Sequence, residues 1–463
     1  MEAAERIQPR RSAAGSKTLR IIALGLAVGL ACWPLNAIDR IQDQWIHRLP
    51  GFSGGPWSPT ATMLALAPLL VLPIILLLQA SVLRSCAGSG LPQLIEALEQ
   101  PSHRPKLLAA APSLGRIGLW SVASLALMPL GREGPAAQLG AAVAHALGRG
   151  RLGTDLLAAS AGAALAGAFN TPLMGVVFVA EELTRSFQAA LIWPALLMAG
   201  AAALVSSLGG QPLFALGIHA EPVAEWQQVA WAVPIGLGAG LLGGLLARLL
   251  LLAGGWLLPL ARTRPLATGL VLGAALSLLT FISGGRSCGD GETLLHQLLD
   301  STAAGQSGAS LLAGLGWPSL LVERLVGPVL GLASGVAGGL IDPALALGGS
   351  FGAGVMHHTG GAPYLGICLG MASALAGCTQ LPVMSLAFAI RMAGAQSLLP
   401  GLLIASVVGA MVGRLIQPEP IYRALASRAG DPTPTEIPAK TIDEGGASIE
   451  AKLLRGRRAG RRG

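Results

Sequence analysis

Apolar segments recur along the whole chain, yet several of them cannot cross a bilayer alone. Long runs lie near 21–38, 60–83, 107–130, 189–208, 229–258, 265–283, 308–337 and 398–416, with shorter ones at 134–148, 153–168, 172–183, 343–356, 362–377 and 382–392. Spanning takes about 20 residues, so the short runs stop at membrane depth. A helix end at that depth leaves backbone groups unpaired, and lipid cannot satisfy them; protein or a water-filled cavity must surround them. The chain is therefore held to an all-α polytopic membrane fold containing broken and re-entrant helices. A simple bundle of full spans does not fit.

Composition closes off the soluble alternatives. The 463 residues are 52% hydrophobic and 12% charged, against about 25% charged in soluble domains. With 64 glycines, 31 prolines and only 4% aromatics, the interior must pack on small residues at close backbone approach. The net charge of +8 is carried by the ends: 1–20 contribute +3 and 451–463 contribute +6, leaving −1 for everything between. Basic flanks beside apolar spans place both termini in the cytoplasm. They also exclude nucleic-acid binding as the meaning of the high pI, because the cations sit in tails next to membrane segments. The run at 21–38 lacks a small-residue cleavage site and is followed by many more spans, so it reads as a retained first span. Three regions result: a basic cytoplasmic segment at 1–20, a transmembrane transport domain at 21–426, and a Pro-, Ala- and Arg-rich cytoplasmic tail without fixed structure at 427–463. Between the spans, 39–59 reads as a Trp/Pro/Gly loop and 284–306 as a polar connection. The five cysteines show no Cys-x-x-Cys spacing and read as core filling.

Three of the breaks share one design. Gly88-Ser89-Gly90-Leu91-Pro92, Gly131-Arg132-Glu133-Gly134-Pro135 and Gly338-Gly339-Leu340-Ile341-Asp342-Pro343 each join permissive glycines to a proline suited to a first helical turn. Several helix N-termini then point at a shared place, and a helix N-terminus attracts anions. Glu133 puts a carboxylate at such a start, and an intramembrane glutamate is a functional candidate by default. The chain also repeats itself. Pro135–Gly140 matches Pro343–Gly348 at an offset of 208, and Gly167–Met174 matches Gly377–Met384 at 210, with Phe178 and Phe388 in step. The repeats are expected at about 60–210 and 228–420, with a site at their interface; pattern alone leaves open whether they are parallel or inverted.

These motifs, with Phe169-Asn170-Thr171-Pro172-Leu173, Glu181-Glu182 and Pro420-Ile421-Tyr422 in the same order, resemble the chloride channel and chloride/proton exchanger family from about residue 60 to 425. The resemblance implies two inverted-topology helical repeats and a homodimer in which each protomer has its own anion pathway. It implies chloride ligation by the hydroxyls of Ser89 and Tyr422 and by the backbone amides of Leu340 and Ile341. Glu133 takes the place of the gating glutamate, which competes with chloride and transfers protons on the outer side. Glu182 takes the place of the internal proton-transfer glutamate that exchangers carry. The expected activity is chloride/proton antiport, with a passive voltage- or pH-gated chloride channel of the same fold as the alternative. The expected protein is no enzyme, needs no cofactor, has chloride, protons and the lipid bilayer as partners, and spans a prokaryotic inner (plasma) membrane many times. The lack of a C-terminal nucleotide-sensing domain suits a short prokaryotic member. Neutral donors and helix ends hold a transported anion without a deep trap, so Arg132 is expected to be a framework or surface cation.

The chain departs from the family at the third motif, where Ile341 replaces an aromatic residue and Asp342 precedes the proline. An aspartate facing the anion would repel it, so Asp342 is expected to point elsewhere. Arg391 stands where many relatives carry an acid. Ser89 favours chloride, since nitrate-preferring relatives often have proline there; Pro135 and Tyr422 argue against the fluoride-exporting branch. Gly51-Phe52-Ser53-Gly54 has the form used by intramembrane serine proteases, but it lies in a loop with no histidine marked as its base. His357-His358 is a solitary pair and not a metal cluster.

Overall fold

Proline starts about half of the helices. It occupies the first turn of α2 (Pro59–Ala80), α3 (Leu91–Glu99), α7 (Pro172–Phe178), α10 (Pro265–Ile282), α12 (Trp317–Ala333), α14 (Pro363–Thr379), α15 (Pro382–Ala393) and α16 (Leu399–Ile416). There its missing N–H costs nothing and its φ is already helical. The remaining helices are α1 (Gln8–Ile46), α4 (Ala110–Leu125), α5 (Glu133–Leu147), α6 (Thr154–Phe169), α8 (Ala189–Leu208), α9 (Glu225–Thr263), α11 (Glu292–Ala303), α13 (Ile341–Thr359) and α17 (Ile421–Ala429). The computed structural model describes residues 8–208, 223–303, 316–394 and 396–429. One unit covers 1–427; the second, 428–463, falls outside the described residues beyond Ala429, and with it the expected tail.

The protein is all-helical, and six helical stretches among the described residues are long and apolar enough to cross a membrane. Two sequence expectations change. The supposed loop at 39–59 is in large part helix, because α1 runs on to Ile46. The polar connection at 284–306 contains α11, whose apolar residues Leu294, Leu295, Leu298 and Leu299 are buried. Both regions look polar because their charged side chains pair inside the protein, as described below.

The helices fall into two series of eight, α1–α8 and α9–α16. Each series opens on a 39-residue helix, which draws α1 into the first half. The match is close at the centre. Helices α4 and α12 end 208 positions apart, and α5 and α13 begin 208 apart. Helices α6 and α14 end 210 apart on Asn170 and Gln380, both non-glycine residues in the left-handed conformation, at φ 49° and 61°. The packing repeats as well. A Cβ at Gly140 of α5 would strike the Ser160 carbonyl of α6, and one at Gly348 of α13 would strike the Gly370 carbonyl of α14. Small residues thus bring paired backbones together in both halves.

The halves meet at equivalent residues. Gly131 N–H donates to Gly339 O at 3.0 Å and Gly339 N–H donates to Gly131 O at 2.8 Å, an antiparallel exchange between positions 208 apart. Such a reciprocal pair is what a local two-fold axis between inverted repeats produces. It sets the N-termini of α5 and α13 against each other.

Candidate functional site

Two helix starts and one carboxylate define the centre. Glu133, in the first turn of α5, is 2% exposed, and its Oε1 accepts a hydrogen bond from the backbone N–H of Ile341 in the first turn of α13. An acidic side chain therefore sits where an anion would, on the positive ends of two helices. Glycine permits this: a Cβ at Gly339 would overlap the Glu133 carboxyl group. Trp120 fixes the crossing from behind, its Nε1–H donating to Gly131 O at 3.1 Å. Leu340, the residue capping α13, is buried beside Ile341.

Ser89 reaches the same centre from α3. It is half-buried, and a Cβ at Gly134 would strike its hydroxyl, so the Gly-Ser-Gly loop rests directly on the first turn of α5. Its Oγ also accepts from Leu91 N–H at a long 3.5 Å. Arg116 of α4 anchors the loop. This buried side chain donates to Ser85 O at 2.9 Å, Gly88 O at 3.0 Å and Ala87 O at 3.1 Å, and it bonds Gln138 of α5. The sequence offered a signal for Arg116 that went unused: an ionisable residue inside the apolar run 107–130, the same logic that singled out Glu133.

Tyr422 comes from α17. It is 2% exposed, its hydroxyl has no partner among the described residues, and it lies within electrostatic reach of Glu133, Cys378, Glu182 and Asp342. Glu182 sits at the far end of α7, where Val179–Leu183 form a π-helical turn closed by Thr184 N–H on Val179 O at 2.9 Å. Such turns re-aim side chains and occur often at functional sites. Glu182 is 1% exposed with Oε1 unpaired, and Arg423, Arg185, Glu181 and Glu99 surround it. Arg423 pairs with Glu99 at 3.0 Å near the surface. Glu181 accepts from Val383 N–H at 3.1 Å and Met384 N–H at 2.7 Å, capping α15.

Arg132 belongs to the framework. It is 1% exposed, forms ion pairs with Asp39 of α1 and with Glu292 of α11 (3.3 Å), and lies 4.5 Å over the Phe169 ring. Its charge is thereby spent away from the anion position. One expectation is overturned: Asp342 does not turn away. It is 1% exposed and its Oδ2 would lie 3.1 Å from a Cβ at Gly131, the residue that also touches the Glu133 carboxylate. The first turn of α13 leaves its side chain on the Glu133 side of the helix.

The rival sites gain nothing. Ser53 is exposed on a one-turn helix, its Oγ accepting from Gly55 N–H at 3.3 Å. No metal-ligand cluster occurs among the described residues. All five cysteines are free and buried.

A buried acid poised on facing helix starts, at the junction of two inverted halves, is the architecture of an anion-handling membrane protein. The family model for voltage gated chloride channels matches residues 70–414, and the chain belongs to that family. It is 31% identical over 312 residues to the voltage-gated ClC-type chloride channel ClcB of Salmonella typhimurium, covering 64% of this chain and 72% of that protein. It is 29% identical over 378 residues to the H(+)/Cl(-) exchange transporter ClcA of Vibrio parahaemolyticus, covering 74% of each. Its fold is similar to that of a slow cyanobacterial Cl-/H+ antiporter, with a TM-score of 0.72 over 89% of this chain and 97% of the other at 21% identity.

Proposed function

We propose that the chain is a chloride/proton antiporter of a bacterial inner membrane, with both termini cytoplasmic and two protomers per assembly. The observation that carries this reading is the Glu133 carboxylate resting on the Ile341 amide: the position favours an anion, and the group now holding it can be neutralised by one proton. Ionised, Glu133 occupies the site and excludes chloride. Protonated, it loses its attraction to the helix ends and swings aside, and chloride takes its place among the amides of Leu340 and Ile341 and the hydroxyls of Ser89 and Tyr422. Helix ends and neutral donors bind weakly enough to release the ion again. Glu182, buried beside Arg423 at the other side of Tyr422, supplies protons from the cytoplasm. The ClcA relative and the cyanobacterial antiporter support exchange as the activity.

A passive chloride channel is the second reading. The ClcB relative is named as a channel, and Ile341 removes an aromatic side chain from the pathway. Reconstitution into liposomes with an imposed chloride gradient separates the two. Uphill proton movement supports exchange, chloride flux without proton movement selects the channel, and no chloride flux rejects both.

A further inference from the structure

The scheme above uses one carboxylate where α5 meets α13, and the structure supplies two. Neither oxygen of Asp342 has a hydrogen-bond partner among the described residues, and Glu133 Oε2 lacks one as well. Both side chains converge on Gly131, and the unpaired Tyr422 hydroxyl lies within electrostatic reach of both. The other charged groups facing Asp342 are Asp290, Arg132 and Glu292. Arg132 is the only cation of that set, and it is already bound to Asp39 and Glu292. The first half has no such acid, because the position matching Asp342 at the offset of 208 is Gly134.

Two carboxylates this close in a water-poor site cannot both stay ionised. A chloride arriving beside the one that stays ionised would be a second negative charge. We propose that Asp342 is a second proton-binding carboxyl of the anion site, and that chloride occupies the site only when Asp342 as well as Glu133 carries a proton. The inference rests on the chloride reading above. Its balance is simple: whenever Asp342 is the ionised member, one proton from water joins it as chloride enters, and returns to water as chloride leaves. An ionised Asp342 repels the anion, so chloride affinity must rise as pH falls, independently of Glu133.

The test is calorimetric titration of the purified full chain with chloride from about pH 5 to about pH 9, in wild type, Glu133→Gln, Glu133→Gln/Asp342→Asn and Glu133→Gln/Asp342→Gly. With Glu133 made non-titrating, affinity should still fall by about tenfold per pH unit where Asp342 ionises, one linked proton per chloride. Both double variants should give a flat profile. A flat profile in Glu133→Gln alone overturns the proposal, as does pH dependence that survives in the double variants. Should the double variants fail to fold, Glu133→Gln titrated in two buffers of different ionisation heat decides: about one proton taken up per chloride supports the proposal, and none overturns it. Absence of chloride binding by wild type at any pH removes the chloride reading and this inference together. Binding with a flat Glu133→Gln profile removes the inference only.

Discussion

The two halves bring the same backbone to one point and furnish it with opposite chemistry. Where α5 begins with Glu133, α13 begins with Ile341, and the acid of one accepts the amide proton of the other. Where the first half has Arg132, the second has Leu340; where the first has Gly134, the second has Asp342. The Gly-Ser-Gly loop ahead of α3 has a counterpart ahead of α11 in Gly289-Asp290-Gly291, with matching positive φ at Gly90 (97°) and Gly291 (106°). Ser89 leans on the site, whereas Asp290 turns inward to accept from Glu292 N–H at 2.9 Å. A symmetric backbone thus supports an asymmetric site. One half supplies the buried acid Glu133 and the Ser89 hydroxyl, the other supplies the Ile341 amide and Glu292, one of the two acids paired with Arg132.

The largest break in this division comes from removing the Glu133 carboxylate. Glu133→Ala should abolish proton coupling while leaving chloride flux, so the ratio of protons to chloride in liposome assays drops to background. Glu182→Gln should do the same to the ratio with chloride binding unchanged within about twofold, a difference under ~0.5 kcal/mol. Coupling that survives either change would separate that residue from the proton route.

Arg132→Leu copies the second half's Leu340 into the first. It leaves Asp39 and Glu292 buried without their cation, and breaking a buried pair in this way costs about 3–5 kcal/mol. A drop in thermal stability of that order is expected in detergent. An unchanged melting temperature would mean that the acids are not ionised against Arg132 in the folded protein.

Much of the fold was legible because the membrane punishes unpaired backbone. Short apolar runs, proline-marked helix starts and the offsets of 208 and 210 led directly to broken helices in two halves. Glu133 and Ile341 were legible for the same reason, as residues at facing helix starts. Asp39, Asp290 and Glu292 were not. They lie in stretches whose charge density reads as solvated, and only the three-dimensional approach of α1 and α11 to Arg132 turns them inward. Asp342 misled for a different reason. Repulsion from an anion is a sound argument against an ionised aspartate in the site, but it says nothing about a protonated one.

Gly339→Ala attacks the point where the halves cross. The added methyl overlaps the docked Glu133 carboxyl, and overpacking of this kind costs about 1–3 kcal/mol. Chloride is proposed to take the place of that carboxyl, so the methyl crowds both, and apparent chloride affinity should fall by about tenfold. The loss should persist at acid pH, where Glu133 is already protonated and undocked and chloride alone is crowded. Equal affinities for the variant and wild type at acid pH would show that Glu133 and chloride do not share one position.

Ser89→Ala is the mildest change and the sharpest test of what the first half adds besides its acid. If the hydroxyl donates to chloride, its loss removes one hydrogen bond, worth about 0.5–1.5 kcal/mol, or roughly 2- to 12-fold in affinity. Stability should barely move, because among the described residues the Ser89 hydroxyl makes only the long bond from Leu91 N–H at 3.5 Å. The proton-to-chloride ratio should also hold, since Glu133 and Glu182 remain. The opposite pattern, a clear loss of stability with chloride affinity intact, would make Ser89 a helix cap alone. The anion would then be held by the second half's amides and Tyr422, and the comparison would shift: the first half would contribute the gate and nothing to the ligand shell.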